Sequence, residues 1–207
     1  MIHPMNKRNA LKVIAVSAIW TLASSQFVAC SDGRLKFTAI DITGADYAKD
    51  FALTDHNGQA RTLKDFSGKV VMVFFGYTQC PDVCPTSMVE MAAIKKLLGQ
   101  DGERLQGLFV TVDPERDKPE MLKAYMDNFD PTFLALHTTP EKTATLAKAY
   151  KVYYKKVEGP TPTSYTIDHT AGSYVYDTKG KLRLFTRYGT QPELTAADIR
   201  LLLRQTS

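Results

Sequence analysis

Two cysteines, Cys80 and Cys84, are the residues of this chain whose types and spacing most directly predict chemistry. They follow an apolar run at residues 70–75, which predicts a buried strand, and they precede residues 86–98, which predict a helix. Both sulfurs should therefore lie in a strand-to-helix turn, where free backbone N–H groups and the helix dipole favour thiolate. Because thiolate binds soft metal ions and attacks disulfides, the pair predicts a metal site or a redox site.

The spacing of the two cysteines leaves both kinds of site open. Three residues separate them, whereas thioredoxin-type redox motifs have two. Cα atoms four positions apart on a helix lie roughly 6 Å from each other, near the upper limit for a disulfide. A bridge stays possible because Cys80 would lie on the flexible side, but both sulfurs can equally converge on one ion at about 2.3 Å. A third ligand would decide between the two.

Four histidines are candidates for that third ligand. His3 lies in the N-terminal export segment, His56 is expected in a solvated hairpin turn, and His137 ends a short predicted strand. His169, in Asp168-His169-Thr170, comes just before a second hairpin, and in a thioredoxin-like fold that connection passes beside the cysteine loop. Two thiolates with a neutral imidazole suit Cu(I) and can hold Cu(II), whereas zinc accepts the same ligands but usually requires a fourth. From the local residues alone, a ligand role and an ordinary loop role for His169 are equally open.

The elements that must position these residues alternate between strand and helix. A hairpin around Asn57-Gly58 comes first, followed by strand 70–75, helix 86–98 and a second apolar strand at residues 108–112. The remaining predicted elements are a helix from Pro119 to about Asn128, a short strand at 133–136, a helix at 141–150, a hairpin at 172–188 and a last helix that Thr195 and Asp198 cap. This order predicts an α/β fold, a thioredoxin-like mixed β-sheet flanked by helices, with an N-terminal β-hairpin and an inserted loop before the second hairpin.

Residues 1–29 have the pattern of a bacterial lipoprotein signal peptide. A positive start is followed by an apolar segment too short to span a bilayer comfortably, and Phe27-Val28-Ala29-Cys30 resembles a lipobox with Phe27 where Leu is usual. We expect Cys30 to be lipidated, residues 30–45 to form a membrane tether, and residues 46–207 to fold as the domain. An uncleaved anchor and an ordinary secretory peptide are the alternatives. In each case the domain is expected outside the cytoplasm, on the periplasmic or extracytoplasmic face of a bacterial membrane.

Composition restricts the partners and the redox state of the cysteines. The formal net charge of +4 comes mainly from residues 1–29, which hold three of the 26 Lys and Arg residues and none of the 22 acidic ones. The rest of the chain is nearly neutral and has no basic patch interleaved with aromatic residues, so nucleic acid is not an expected partner. Apart from Cys30, only Cys80 and Cys84 remain, too few for a disulfide scaffold. In an oxidising compartment such a pair must be bridged, metal-bound or kept reduced.

Three segments together resemble the Sco/SenC family of copper proteins: residues 76–85, residues 112–117 and Asp168-His169-Thr170. The resemblance covers about residues 46–205 and implies a thioredoxin fold on a membrane-tethered extracytoplasmic domain. It also implies that one copper ion per chain, as Cu(I) or Cu(II), is held by Cys80, Cys84 and His169. The implied role is assembly of the Cu(A) centre of cytochrome c oxidase. The implied partners are the copper-bearing oxidase subunit and a copper donor protein, with membrane attachment through lipid where many members use a transmembrane helix.

Two function classes follow from these residues. A metallochaperone would take copper from a donor and pass it to an acceptor by stepwise ligand exchange, without turnover. A thiol–disulfide oxidoreductase would use Cys80 as nucleophile and Cys84 as resolving thiol, and would not need His169. A peroxidase shares the fold and a cysteine at a helix start, but a chelate explains the thiol pair better.

Other residues with possible chemistry have structural interpretations beside the functional ones. Asp168 could orient or supplement the metal site, and Asp82, expected to be exposed between the thiols, could steer a partner. Asp113 and Asp117 are expected to cap loops and helices. The methionines near the cysteines are expected to pack in the core: Met72, Met88 and Met91.

Overall fold

A central mixed sheet positions the cysteine segment. The computed structural model describes residues 35–161 and 164–205. Its strands are β1 (Ile40–Asp41), β2 (Leu53–Asp55), β3 (Ala60–Arg61), β4 (Val70–Gly76), β5 (Leu105–Thr111), β6 (Leu134–His137), β7 (Tyr154–Glu158), β8 (Tyr165–His169), β9 (Gly172–Tyr176) and β10 (Leu182–Arg187). Eight of them form one sheet in the order β1-β10-β9-β4-β5-β6-β2-β3, with β4, β5 and β6 parallel. Strands β4 and β5 at its centre are buried along their whole length, as the unbroken apolar run at residues 70–75 of β4 predicts.

Four α-helices flank this sheet: α1 (Val83–Leu97), α2 (Pro119–Met126), α3 (Pro140–Ala149) and α4 (Pro192–Arg204). Helices α2, α3 and α4 each begin with a proline, whose missing N–H would have no partner there. Helices α1 and α4 pack against each other and against β4. The α/β thioredoxin-like fold is confirmed, including the N-terminal hairpin, which β2 and β3 form. The methionine prediction is also confirmed, since Met72, Met88 and Met91 are buried in the core.

Helix α1 begins three residues earlier than predicted, so Cys84 lies in its first turn and not in the loop before it. Pro85 disfavours an earlier start in the local sequence, because proline disrupts a helix interior. Here Pro85 is the third helical residue, where the backbone N–H has no helical partner to lose. Cys80 remains in the loop, so a loop and a helix supply one sulfur each.

A second, two-stranded sheet occupies the place of the predicted inserted loop. Strands β7 and β8 pair antiparallel from Tyr154–His169 to Glu158–Tyr165, and no ladder in the described residues joins them to the central sheet. The sequence predicted an inserted loop without these paired strands, because both strands are mostly exposed and lack the apolar alternation that marks a strand. We call β7 and β8 the histidine hairpin, since His169 is the last residue of β8.

The packed domain begins before residue 46. Strand β1 pairs with β10, and the backbone N–H groups of Thr38 and Ala39 donate to the buried Asp198 carboxylate on α4 at 2.8–3.0 Å. Part of the predicted tether therefore packs on the domain. Asp198 was predicted to help cap α4, but it lies in the middle of that helix and holds the N-terminal segment instead.

The predicted signal peptide at residues 1–29 and the predicted lipidation site Cys30 lie outside the described residues. No helix within residues 35–161 and 164–205 has both the length and the apolar character needed to cross a membrane.

Candidate metal centre

Cys80, Cys84 and His169 converge at the carboxyl end of β4. Each offers one ligand atom, and these three atoms all lie within 4.8 Å of one another. Cys84 is fully buried, while Cys80 and His169 are half-buried. Cys80 and His169 line an open cleft of about 460 Å³, which the exposed residues Asp82 and Asp168 also line. Among the described residues, this is the group of three or more cysteine, histidine and acidic side chains that could hold a metal ion.

The histidine is oriented with one ring nitrogen toward the sulfurs. Its Nδ1 lies 3.1 Å from the Thr170 carbonyl oxygen, which can only accept a hydrogen bond, so Nδ1 carries the proton. The Nε2 lone pair then faces Cys84 Sγ at 3.3 Å. A backbone partner of this kind is what fixes the tautomer and ring orientation of metal-ligating histidines.

Aromatic rings enclose the imidazole. Phe74 and Tyr77 make edge contacts with the His169 ring, with centroids 5.9 Å and 6.0 Å away. Burial lowers the pKa of His169, which keeps the imidazole neutral and able to bind a metal at neutral pH. Burial also raises the pKa of the Cys84 thiol well above its usual range, so this sulfur holds its proton in the metal-free protein.

This donor set fits a soft metal ion. Two sulfurs and one imidazole nitrogen suit copper, and the cluster found in the described residues has no fourth ligand of the kind structural zinc sites use. Both thiols are free, and metal binding would displace the proton on Cys84.

Gly76, the last residue of β4, makes room for the buried sulfur. A Cβ atom at this position would lie 2.8 Å from Cys84 Sγ and 2.8 Å from a ring carbon of Phe74. These distances are shorter than real Cβ contacts allow, so a side chain at residue 76 would displace the sulfur or the ring. The glycine just before the cysteine loop is therefore part of the site.

The residues 113–117 contribute contacts that the sequence reading missed. Asp117 is buried and accepts hydrogen bonds from the Thr78 side chain (2.6 Å), the Thr78 backbone N–H (3.1 Å) and the Thr111 side chain (2.6 Å). Burial raises the pKa of the Asp117 carboxyl against these hydrogen bonds. Asp113, also buried, pairs with Arg116 and accepts from Tyr165 of the histidine hairpin at 2.8 Å. Both acids were predicted to cap loops or helices; instead they hold the neighbouring segments.

The other histidines do not join the site. His56 was expected to be solvated, but its Nδ1 accepts from the Ala135 N–H at 3.1 Å and burial lowers its pKa. The buried Nε2 of His137 has no hydrogen-bond partner in the described structure. His3 lies outside the described residues.

Comparisons with known proteins point in one direction. The family model described as SCO1/SenC matches residues 41–204. A SCO2-like protein of Rickettsia felis is 35% identical over 133 residues, which cover 64% of this chain and 65% of that protein. The chain thus matches about two thirds of the length of this curated relative.

Solved structures agree in fold and in sequence. The copper-bound structure of Bradyrhizobium japonicum ScoI is 41% identical, with a TM-score of 0.68, and the alignment covers 74% of this chain and 97% of that one. Yeast Sco1 with copper bound is 30% identical, also with a TM-score of 0.68, over 75% of this chain and 87% of that one. Both structures contain copper on a domain with this fold.

Proposed function

The chain belongs to the SCO1/SenC family, and we propose that it is an extracytoplasmic copper metallochaperone that helps assemble the Cu(A) centre of cytochrome c oxidase. The observation that carries this proposal is the convergence of Cys80, Cys84 and His169 within 4.8 Å. Relatives with the same fold have been solved with copper bound, which supports copper as the cargo. One ion per chain is proposed because the described residues hold one such three-residue cluster.

The three proposed ligands have different roles in holding and releasing copper. Cys84 is buried in the first turn of α1 and would keep the ion in place, whereas Cys80 lies on the open cleft, where an acceptor thiolate can reach the ion. Two thiolates suffice for Cu(I), and the imidazole adds the nitrogen donor that Cu(II) favours. Copper would therefore leave by exchange at Cys80 first, and Cys84 would release it last.

The alternative, a thiol–disulfide oxidoreductase, fits the site less well. Cys80 would be the attacking thiol of such an enzyme, and burial raises the pKa of Cys84, which would slow its attack as the resolving thiol. This alternative also gives no role to an imidazole whose lone pair faces the sulfur at 3.3 Å.

Metal titration tests the binding step. We expect the reduced full chain, purified in detergent, to bind one equivalent of Cu(I) or Cu(II), with thiolate-to-Cu(II) absorption. The matched control is the same protein after alkylation of its thiols. Equal copper binding before and after alkylation would contradict the proposal.

Cellular respiration tests the assembly step. Deleting the gene in its host should lower the activity of oxidases that contain Cu(A), while oxidases that lack Cu(A) remain active. Complementation with the wild type should restore activity, and complementation with Cys84→Ala should not. Full Cu(A) oxidase activity in the deletion strain would show that the copper site serves another acceptor.

The proposed location is the extracytoplasmic face of a bacterial membrane, with the domain anchored by lipid on Cys30. The lipobox-like segment 27–30 after an apolar stretch supports this. Cells fed an alkyne-tagged fatty acid should label the wild type and not Cys30→Ala. Absence of label on the wild type would leave an uncleaved anchor or a secreted form.

A further inference from the structure

The two halves of the metal centre come from separate parts of the fold. The sulfurs are supplied by the loop after β4 and the first turn of α1, and the imidazole by the histidine hairpin, which forms its own two-stranded sheet. Ile167 is the one fully buried residue among those of β7 and β8. Because an isolated two-stranded hairpin is marginally stable in water, something else must hold this one against the sulfurs.

Three side chains of the segment after β5 together link the two halves. On the cysteine side, Asp117 accepts from the backbone N–H and the hydroxyl of Thr78, two residues before Cys80. On the hairpin side, Asp113 accepts from the Tyr165 hydroxyl at 2.8 Å. Arg116 donates from Nη1 to the Tyr165 carbonyl at 2.9 Å, and its guanidinium lies 3.5 Å from the centroid of the Tyr165 ring.

These contacts are at least partly buried and are linked to one another, unlike ordinary surface contacts. Asp113 and Asp117 are almost completely buried, Arg116 pairs with Asp113, and the Asp117 backbone N–H donates to the Asp113 carbonyl at 2.9 Å. Thr111 joins the same network through its hydroxyl, which donates to Asp117 and accepts from the Asp113 N–H. The neighbouring Glu115 makes a different contact with the hairpin, an exposed ion pair with Lys156 that should contribute little.

We propose that Asp113, Arg116 and Asp117 form a positioning bracket that sets the distance between the thiols and the imidazole, and thereby controls whether the site retains Cu(II) as well as Cu(I). This inference rests on the proposed copper function. The bracket touches no ligand atom; it acts by holding Thr78 at one end and Tyr165 at the other. Weakening the hairpin end should move the imidazole alone, whereas weakening the cysteine end should move the sulfurs.

The hairpin end is tested with Arg116→Lys, which keeps a positive charge beside Asp113 but loses the planar group that stacks on Tyr165. We expect Cu(II) affinity and the thiolate-to-Cu(II) absorption to fall by about tenfold, the scale for loss of an outer-shell partner, while Cu(I) affinity stays within about twofold. Glu115→Gln is the matched control, because it breaks an exposed contact between the same segment and the same hairpin. Equal behaviour of the two variants, or equal loss of Cu(I) and Cu(II) in Arg116→Lys, would overturn the proposal.

The cysteine end is tested with Asp117→Ala beside Asp117→Asn, which keeps an acceptor for the Thr78 N–H. We expect Asp117→Ala to weaken both oxidation states by about tenfold and Asp117→Asn to restore most of the loss. If Asp117→Ala fails to fold, Asp117→Asn and Arg116→Lys still carry the test. Copper binding by Asp117→Ala equal to that of the wild type would exclude this end of the bracket.

A metal-free measurement separates this inference from the proposed function. Hydrogen exchange of the detergent-purified full chain reports on the Ile167 amide, which donates to the Tyr77 hydroxyl at 3.1 Å. Exchange at Ile167 should quicken by about tenfold in Arg116→Lys and stay unchanged in Glu115→Gln, with the β4 and β5 amides unaffected in both. If the wild type binds no copper but this pattern appears, the copper function fails and the bracket stands. Unchanged exchange at Ile167 in Arg116→Lys would refute the bracket itself.

Discussion

The cysteine segment and the histidine hairpin supply the same centre but are built differently. The cysteine segment leaves a fully buried central strand and places Cys84 in the first turn of a helix packed on that strand. The hairpin is mostly exposed and, within the described residues, its strands form a ladder only with each other. Side-chain contacts such as that of Tyr165 with Asp113 join it to the domain. The centre thus has a rigid thiol half and a more adjustable imidazole half. A carrier benefits from this arrangement, since two fixed sulfurs keep the cargo while the third ligand can respond to oxidation state or to a partner.

The largest effect should come from the rigid half. Cys84→Ala removes a proposed ligand of both oxidation states, so the loss of copper affinity should exceed the roughly 10- to 100-fold typical of outer-shell changes. The folded state should change little, because alanine replaces a small buried side chain. Competition titration with a Cu(I) chelator measures the affinity, and thermal unfolding is the control. Retention of tight Cu(I) binding would contradict the proposal that the thiol half holds the ion.

Removal of the adjustable ligand should separate the two oxidation states. In His169→Ala, Cu(II) binding should weaken by roughly 100-fold and Cu(I) binding by less than about tenfold, because two thiolates satisfy Cu(I). Absorption and electron paramagnetic resonance of the Cu(II) form provide the measurement. Disulfide exchange through the cysteines should persist in this variant. Parallel loss of Cu(I) and Cu(II) would mean that the imidazole is as essential as the sulfurs.

A larger side chain next to the buried sulfur of Cys84 should lower both the stability of the fold and the affinity for copper. Gly76→Ala places a Cβ against Cys84 Sγ and Phe74, so it should destabilise the fold by about 1–3 kcal/mol and weaken binding of both copper states. Gly107→Ala is the matched control. Its Cβ would lie 2.7 Å from a ring carbon of Phe133 and 2.8 Å from the Met91 sulfur, away from the two cysteine sulfurs. Denaturant unfolding should show similar destabilisation in the two variants, with copper affinity lowered only in Gly76→Ala. Equal copper affinity in both would show that the site tolerates movement of Cys84.

Copper binding should also depend on pH. Burial raises the pKa of Cys84, so copper must displace its proton, and affinity should rise about tenfold per pH unit for each proton released. Burial lowers the pKa of His169, so proton competition at the imidazole should begin only below the ordinary histidine value of 6.5. Cu(I) titrations between pH 6 and 8, repeated on His169→Ala, should give the same slope. A slope of zero in the wild type would mean that Cys84 is already thiolate.

The sequence predicted the rigid half far better than the adjustable half. An apolar run followed by a helical pattern is a local signal, so the position of Cys80 and Cys84 at the end of a central strand could be read directly. The strands around His169 carry exposed residues such as Lys155 and Lys156, which give no periodicity, and the ligand role of His169 came from family resemblance.

Long-range polar contacts were beyond a local reading. Asp113 and Asp117 have the spacing of ordinary capping residues. Only the fold shows that Asp113 contacts Tyr165 and that Asp117 contacts Thr78. In the Cys–Cys–His cluster, Cys84 and His169 are 85 positions apart in the sequence. Only the arrangement of strands in the fold shows that they meet. For Asp113 and Asp117, the one signal in the sequence was that residues 112–117 form a segment that resembles a known family.

The attachment of Thr38 and Ala39 to Asp198 also determines where the chain can be cut to make a soluble fragment. A fragment that starts at residue 46 would lose β1 and would leave the buried Asp198 carboxylate without its two backbone donors. Such a fragment should be less stable than one that starts at residue 36, although the two differ by ten residues that carry no proposed ligand. Any affinity measured on the shorter fragment would then describe a domain with a loosened terminal helix, so the starting residue is itself an experimental variable.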